Sequence, residues 1–504
     1  MDSLAYLGQG FLVALKPLNL GVALAGSFIG TIVGLLPGLG PINGVAILLP
    51  LAFAMKLPPE TALILLASVY IGCEYGGRIS SILLNIPGDA GAVMTAVDGY
   101  PMARKGLAGV ALSISAWSSF VGSLIATMGL ALFAPIIANW ALSFGPAEQF
   151  VLMVFALCCL AGMVGDRPVK TVLATLMGLA LATVGMDANS GVYRFTFDSV
   201  HLGDGVQFIV VVIGLFSVSE MLIMLEQSHS GQSVIKATGR KLFNLREMAI
   251  TWWGTVRSSL VGFGIGVLPG AGATVASAIT YMMERSLTDK EGTFGKGDVR
   301  GVAAPEAANN AAAHGAFIPM LTLGIPGSGT TAVMIGALTL YNITPGPLLF
   351  QQQPDLVWGL IASMFIGNVV LLIMNIPMVG FFARMLHVPN WLLVPAIAAV
   401  SFVGVYAVHA TTFDLILMVV LGIIGWILRK LGMPMVPLIL GFVLGDMMEQ
   451  NLRRALSISN GEPGILFASP VTWVLWALAV TVIAIPLAMR QRRKARARSG
   501  LSGA

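Results

Sequence analysis

Charge is what this sequence has little of. Only 10% of its 504 residues are Asp, Glu, Lys or Arg, against 57% hydrophobic ones, and the mean hydropathy is +0.88. That is too little polar surface to cover a water-soluble globule of this length. Strand-period alternation is missing as well, which leaves an all-α polytopic membrane protein, with about 10 to 12 membrane helices expected from apolar runs near the roughly 20 residues that cross hydrocarbon. Cysteine is scarce: Cys73, Cys158 and Cys159 lie in apolar segments without metal-ligand spacing and read as small core residues, so no metal site is expected from them. The start of the chain lacks a basic region and an Ala-x-Ala site, so no removable signal peptide is expected. No Walker A sequence is present, so ATP is not expected to be the direct energy source.

The net charge of +5 would suggest nucleic acid in a soluble protein. Here the basic residues sit in short loops between apolar spans and report orientation instead, so no nucleic-acid partner is expected. The run Arg490 to Arg498 reads as a cytoplasmic stop whose charge also suits lipid headgroups.

Glycine and proline are plentiful and are placed in a pattern. Gly34-Leu35-Leu36-Pro37-Gly38-Leu39-Gly40-Pro41-Ile42-Asn43-Gly44 interrupts a hydrophobic run, and Gly266-Val267-Leu268-Pro269-Gly270-Ala271-Gly272-Ala273-Thr274 is a second copy. Each is followed by a second break, Asn85-Ile86-Pro87-Gly88-Asp89-Ala90-Gly91 and Gly324-Ile325-Pro326-Gly327-Ser328-Gly329-Thr330. Pro37 to Pro87 is 50 residues and Pro269 to Pro326 is 57, the difference being a charged insert from Arg285 to Arg300. Two breaks, duplicated, point to a binding site at a repeat interface.

The organisation that follows is a short lead at 1–16, a first membrane repeat at 17–225, a cytoplasmic linker at 226–250 and a second repeat at 251–450. An outer loop with a final helix fills 451–489, and a basic cytoplasmic tail 490–504. The segment around each first break is too short for two comfortable crossings and reads as re-entrant or as a broken helix. Loop charge alternates between the halves. Arg104 and Lys105 follow the second break of the first, whereas Thr344 to Gln353 carries no Lys or Arg; later, Arg429 and Lys430 stand against the uncharged end near Val184. Two inverted-topology repeats are therefore expected, with Arg104, the linker and the tail inside and residues 187–205 outside. Arg453 and Arg454 fall outside by the same count, against the rule.

A Pro-Gly break leaves amide donors and carbonyls unpaired at membrane depth, which is costly unless something binds them. Free amides at a helix N-terminus suit an anion, and carbonyls and hydroxyls suit Na⁺. The substrate- and ion-binding candidates are Pro37, Gly38, Gly40, Asn43, Pro87, Gly88, Asp89, Pro269, Gly270, Gly272, Thr274, Pro326, Gly327, Ser328, Gly329, Thr330 and Thr331. For one Pro-Gly pair a simple kink is the commoner explanation; four at matched positions reverse it. Glu306, Asn309, Asn310 and His314 occupy a segment of small residues, with Asn310 the candidate ion ligand and interhelical bonding the alternative for both asparagines. Glu74 and Arg78, four apart, are expected to form a buried pair, with Arg78 also a candidate carboxylate contact. His201, His229, His387 and His409 fall in loops and receive no role.

The segments Leu36-Pro37-Gly38-Leu39-Gly40-Pro41, Tyr75-Gly76-Gly77-Arg78-Ile79-Ser80-Ser81-Ile82-Leu83-Leu84-Asn85-Ile86-Pro87-Gly88 and Gly324-Ile325-Pro326-Gly327-Ser328-Gly329-Thr330-Thr331-Ala332-Val333 resemble the large membrane subunit of the bacterial tripartite tricarboxylate transporters. That resemblance implies an inner-membrane permease, not an enzyme, for citrate or a related carboxylate. It implies a periplasmic solute-binding protein and a small four-helix membrane subunit as partners, no cofactor, and an ion gradient, usually Na⁺ with H⁺ the other candidate. A dicarboxylate or aromatic acid is the alternative substrate. An intramembrane hydrolase using Ser328 and His314 lacks an orienting third group, and a passive channel would also use breaks and carbonyls.

Overall fold

A computed structural model describes residues 3–163, 168–187, 189–226, 245–270, 272–386 and 388–484. Most of the expected linker and all of the basic tail, including Arg490 to Arg498, lie outside them, as do His229 and His387.

The all-α membrane class is borne out. Among the described residues seven helices are long and apolar enough to cross a membrane, and six further apolar helices have 10–17 residues. Strand is confined there to β1 (Gly185–Met186) and β2 (Tyr193–Arg194), an antiparallel pair with Gly185 opposite Arg194.

The first half holds α1 (Ser3–Ala14), α2 (Pro17–Leu35), α3 (Gly40–Ala54), α4 (Pro59–Leu84), α5 (Val93–Met102), α6 (Ala108–Ala141), α7 (Pro146–Met163) and α8 (Pro168–Ala182). After the hairpin come α9 (Phe208–Val212) and α10 (Ser219–Glu226), joined by a wider helical turn. The second half holds α11 (Leu245–Val267), α12 (Gly272–Thr288), α13 (Val299–Gly315), α14 (Phe317–Leu323), α15 (Gly329–Leu340), α16 (Leu349–Gln352), α17 (Pro354–Asn375), α18 (Val379–Met385), α19 (Asn390–His409), α20 (Thr412–Lys430), α21 (Met435–Ile458) and α22 (Pro470–Ala484). Proline opens α2, α4 and α17, where its missing N–H costs nothing. The last helix of the second repeat, expected to end at 450, runs on in α21 to Ile458, stopping where Asn460 and Gly461 take φ of 55° and 91°.

The breaks adopt the same backbone in both halves. Gly38 and Gly40 take φ of 91° and 59°, and Gly270 and Gly272 take 77° and 66°. Asn85 (φ 59°) ends α4 as Gly324 (φ 70°) ends α14, each followed by Ile-Pro-Gly. Left-handed backbone of this kind is open to Gly and Asn at little cost, and it stops a helix sharply.

Packing is repeated too. Gly26, Gly30 and Gly34 of α2 bring its backbone onto α4 so closely that a Cβ at Gly34 would lie 2.1 Å from the Cys73 carbonyl oxygen. Gly266 of α11 does the same on α13, where a Cβ would lie 2.3 Å from the Ala312 oxygen. Small residues four apart are how membrane helices approach without a hydrophobic driving force. Across the halves, α4 packs on α17 and α13 on α6.

The chain forms two compact units, Met1–Ala141 with Gln207–Leu431, and Leu142–Val206 with Gly432–Ala504. In the first, Arg429 pairs with Glu220 and Lys430 Nζ lies 2.8 Å from Glu226 Oε1. In the second, α21 packs on α7 and α8. There Arg453 Nη2 lies 2.8 Å from Asp187 Oδ2 and Arg194 Nη1 2.8 Å from Glu449 Oε1. Arg453, the charge that counted against the orientation, is thus neutralised locally.

Candidate functional site

The second break folds back along its own helix. The Gly88 N–H donates to the Gly77 carbonyl at 3.3 Å, seven residues before the end of α4. This puts Asp89 beside both Gly77 and the first break: a Cβ on Gly77 would lie 2.6 Å from Asp89 Oδ1, and one on Gly40 would lie 3.7 Å from Asp89 Cβ. In the second half the Gly270 N–H donates to the Gly327 carbonyl at 3.0 Å. Each half therefore brings its two breaks into contact. The halves meet where Tyr70 OH lies 3.3 Å from Ser328 Oγ and where Asn309 Nδ2 donates to Glu74 Oε2 at 2.8 Å.

The candidates fare differently within that arrangement. Pro37, Pro87, Pro269 and Pro326 stand in the four breaks, between helix ends. Asn43 Nδ2 donates back to the Leu39 and Gly38 carbonyls of the first break, and its buried Oδ1 has no partner. Ser328 caps α15: its Oγ accepts the Thr331 N–H at 3.2 Å, and Thr331 Oγ1 accepts the Ser328 N–H at 2.8 Å. Those two hydroxyls hold the helix start in place, and Gly329 and Thr330 lie in its first turn. Thr274 is exposed on α12, and Gly38 is exposed with the Glu220 carboxylate facing it.

The expected Glu74–Arg78 pair does not form. Arg78 is fully buried and donates instead to the carbonyls of Tyr75 and Leu112, to Ser115 Oγ and to Asn375 Oδ1. On a tightly packed helix its long side chain turns outward onto α6 and α17, while Glu74 meets Asn309. A guanidinium so engaged is the least free of the candidates to take a carboxylate. Asn310 Nδ2 donates to Ser119 Oγ at 2.8 Å, an interhelical bond from α13 to α6. Glu306 accepts from Thr95 and Ser119. His314 Nδ1 sits 2.8 Å from the Asn310 carbonyl, while the Ser328 hydroxyl meets Thr331 and Tyr70, so the two members of the hydrolase reading do not bond each other. His409, given no role, lies 3.5 Å from Asp414.

Tyr70 was legible as a site residue, being four before Glu74 on the same helix face. The contacts of Glu74 with Asn309, 235 residues away, and of Thr95 with Glu306 had no local signal.

Paired helix breaks at matched positions of a polytopic helical protein are an arrangement that membrane transporters use. Residues 20–440 match the Tripartite tricarboxylate transporter TctA family, and the chain belongs to it. It is a multi-pass inner-membrane protein of a transporter family, not an enzyme. The chain is 40% identical over 495 residues, 98% of each chain, to the Agrobacterium vitis "Uncharacterized 52.8 kDa protein in TAR-I ttuC' 3'region". It is 43% identical over 230 residues, 46% of this chain and 95% of the relative, to the "Uncharacterized protein in TAR-II ttuC' 3'region" of the same organism. No solved structure matches.

Proposed function

We propose that the chain is the permease of an ion-gradient-driven uptake system for citrate or a related tricarboxylate. It takes the acid from a periplasmic binding protein and works beside a small four-helix membrane subunit, with Na⁺ as the coupling ion. The observation that carries this reading is that four helices, α3, α5, α12 and α15, begin just after the four breaks. Their amide-rich, positive ends are suited to an anion with several carboxylates, and the left-handed glycines let it reach the backbone.

Alternating access about such a site is the usual consequence of inverted repeats. An inverted relation is supported by where the insert lies. Helix α4 runs 26 residues from the turn at 55–58, about 39 Å. At its far end Gly99 touches Ile82, and there Asp98 and Lys105 contact Gly295 and Lys296 of the insert. A parallel repeat would put the insert beside the turn at 55–58 instead.

The test is uptake of labelled citrate into proteoliposomes holding this chain, its small subunit and the binding protein, with and without an inward Na⁺ gradient. Uptake that requires all of these supports the reading. Silence with citrate but uptake of a dicarboxylate or aromatic acid keeps the mechanism and changes the substrate; silence across the panel overturns it. Full uptake after replacing both Gly327 and Ser328 with leucine would overturn the site, because a Cβ at Gly327 already falls 2.7 Å from the Ala316 backbone.

A further inference from the structure

Glu74 and Asp89 place two carboxyl groups around Asn309 and Gly91, one on α4 and one in the second break. Glu74 Oε2 accepts from Asn309 Nδ2. The other end of that amide, Asn309 Oδ1, is buried and has no partner. It points at the same spot: a Cβ built on Gly91 would lie 2.0 Å from Asn309 Oδ1 and 3.1 Å from Asp89 Oδ2. Reversing the amide would set its oxygen against Glu74 in place of the donor, so the shortage of positive charge is the same either way.

Arg78, four residues on from Glu74 along α4, does not relieve it. Arg78 is bonded to Tyr75, Leu112, Ser115 and Asn375, and Glu306 is satisfied by Thr95 and Ser119. Two acidic groups and an orphan amide oxygen, converging where α13 of one half meets the break of the other, form an oxygen-only donor set. Oxygen donors of this type suit a hard cation. The one negative charge left beside a monovalent ion falls on Asp89, which the Gly91 and Ala92 N–H groups already support at 3.3 and 3.2 Å.

We infer that Glu74, Asp89 and Asn309 form a Na⁺ site at the meeting of the two halves, beside the start of α5. The inference rests on the ion-coupled reading above for its physiological sense. Its ligands join α4, the second break and α13, so that occupancy would fix the halves against each other there.

The test is binding and not transport. The purified full chain in detergent is titrated with NaCl against choline chloride at constant ionic strength, reading ²²Na⁺ binding and the melting temperature. Saturable Na⁺ binding with a rise in melting temperature is expected. Asn309→Ala should weaken apparent Na⁺ affinity at least tenfold, and so should Gly91→Val, which fills the space without removing a ligand. A melting temperature in choline within a few degrees of the unmodified chain shows that a variant is folded, and Asn309→Ser stands in for either variant that is not. Wild-type affinity in the folded variants overturns the site, as does an unmodified chain that responds to protons but not to Na⁺. Carboxylate uptake measured alongside keeps the two readings apart: Na⁺ binding without transport of any acid overturns the permease proposal and supports the site, while transport without Na⁺ binding does the reverse.

Discussion

Asp98 Oδ1 accepts the Gly297 N–H at 2.8 Å, and the same oxygen takes the N–H groups of Gly295 and Asp298 while Oδ2 accepts from Tyr281 OH. One buried carboxylate on α5 thus organises the insert of the other half. Removing it with Asp98→Ala strands three amides and a phenol, and hydrogen bonds to a charged group are each worth about 1.5–3 kcal/mol. A loss of about 3 kcal/mol or more is expected. Asp98→Asn keeps an acceptor for the amides and should cost clearly less. Thermal unfolding in detergent, with limited proteolysis at the insert, checks both; equal melting temperatures for the unmodified chain and Asp98→Ala would refute the latch.

Glycine should matter by position and not by number. A Cβ at Gly34 would fall 2.1 Å from backbone, whereas one at Gly264 would meet nothing within 4 Å. Gly34→Ala is expected to force α2 off α4 and to lower the yield of folded protein severalfold. Gly264→Ala, three residues from the end of its helix, should be neutral or stabilise by a few tenths of a kcal/mol, since alanine is the better helix former. Size-exclusion yield and melting temperature of the pair decide it.

The parts of this molecule that could be read from the chain were those governed by local rules. Pro37-Gly38 and Pro326-Gly327 stop helices wherever they occur, and low charge dictates the solvent. What could not be read was which long side chain turns where. Glu74 and Arg78 are correctly spaced for a pair, yet α4 is buried from Thr61 to Leu83, and each finds a better partner on another helix. The Asp98 latch and the Asn309 contacts join residues some 200 apart, and no periodicity encodes such pairings.

Acid should loosen the loop that carries the β-hairpin. The Asn189 N–H holds the Asp187 carboxyl below its usual range, with Ser190 and Arg453 adding to it against the opposing effect of burial. A depressed carboxyl stabilises the fold fully above its unfolded value, about pH 3.9, and that contribution is lost as pH falls through the lower folded value. The contribution of this group should therefore be fully present and independent of pH between pH 7 and about pH 5, with the melting temperature falling below about pH 4. Asp187→Asn should be less stable at pH 7 and should lack its share of the acid-side fall. Parallel pH profiles that differ only by a constant offset would refute this.

Orientation can be measured directly with single cysteines in a background where Cys73, Cys158 and Cys159 are replaced by alanine. The inverted reading puts the hairpin loop and the insert on opposite faces of the membrane. A membrane-impermeant maleimide applied to intact cells should then label Ser199→Cys, between Asp198 and the short helical turn at Val200, and leave Glu291→Cys in the insert unlabelled until the cells are opened. The insert must share its face with Lys105, whose Nζ donates to the Lys296 carbonyl at 2.6 Å. A cysteine at Lys105 is therefore the internal control: if it and Glu291→Cys label together from inside while Ser199→Cys labels from outside, the loop charges have been read correctly. Labelling of Ser199→Cys and Glu291→Cys from the same face would refute the count of crossings through α6, α7 and α8 from Lys105 to the hairpin loop, and with it the orientation read from the loop charges.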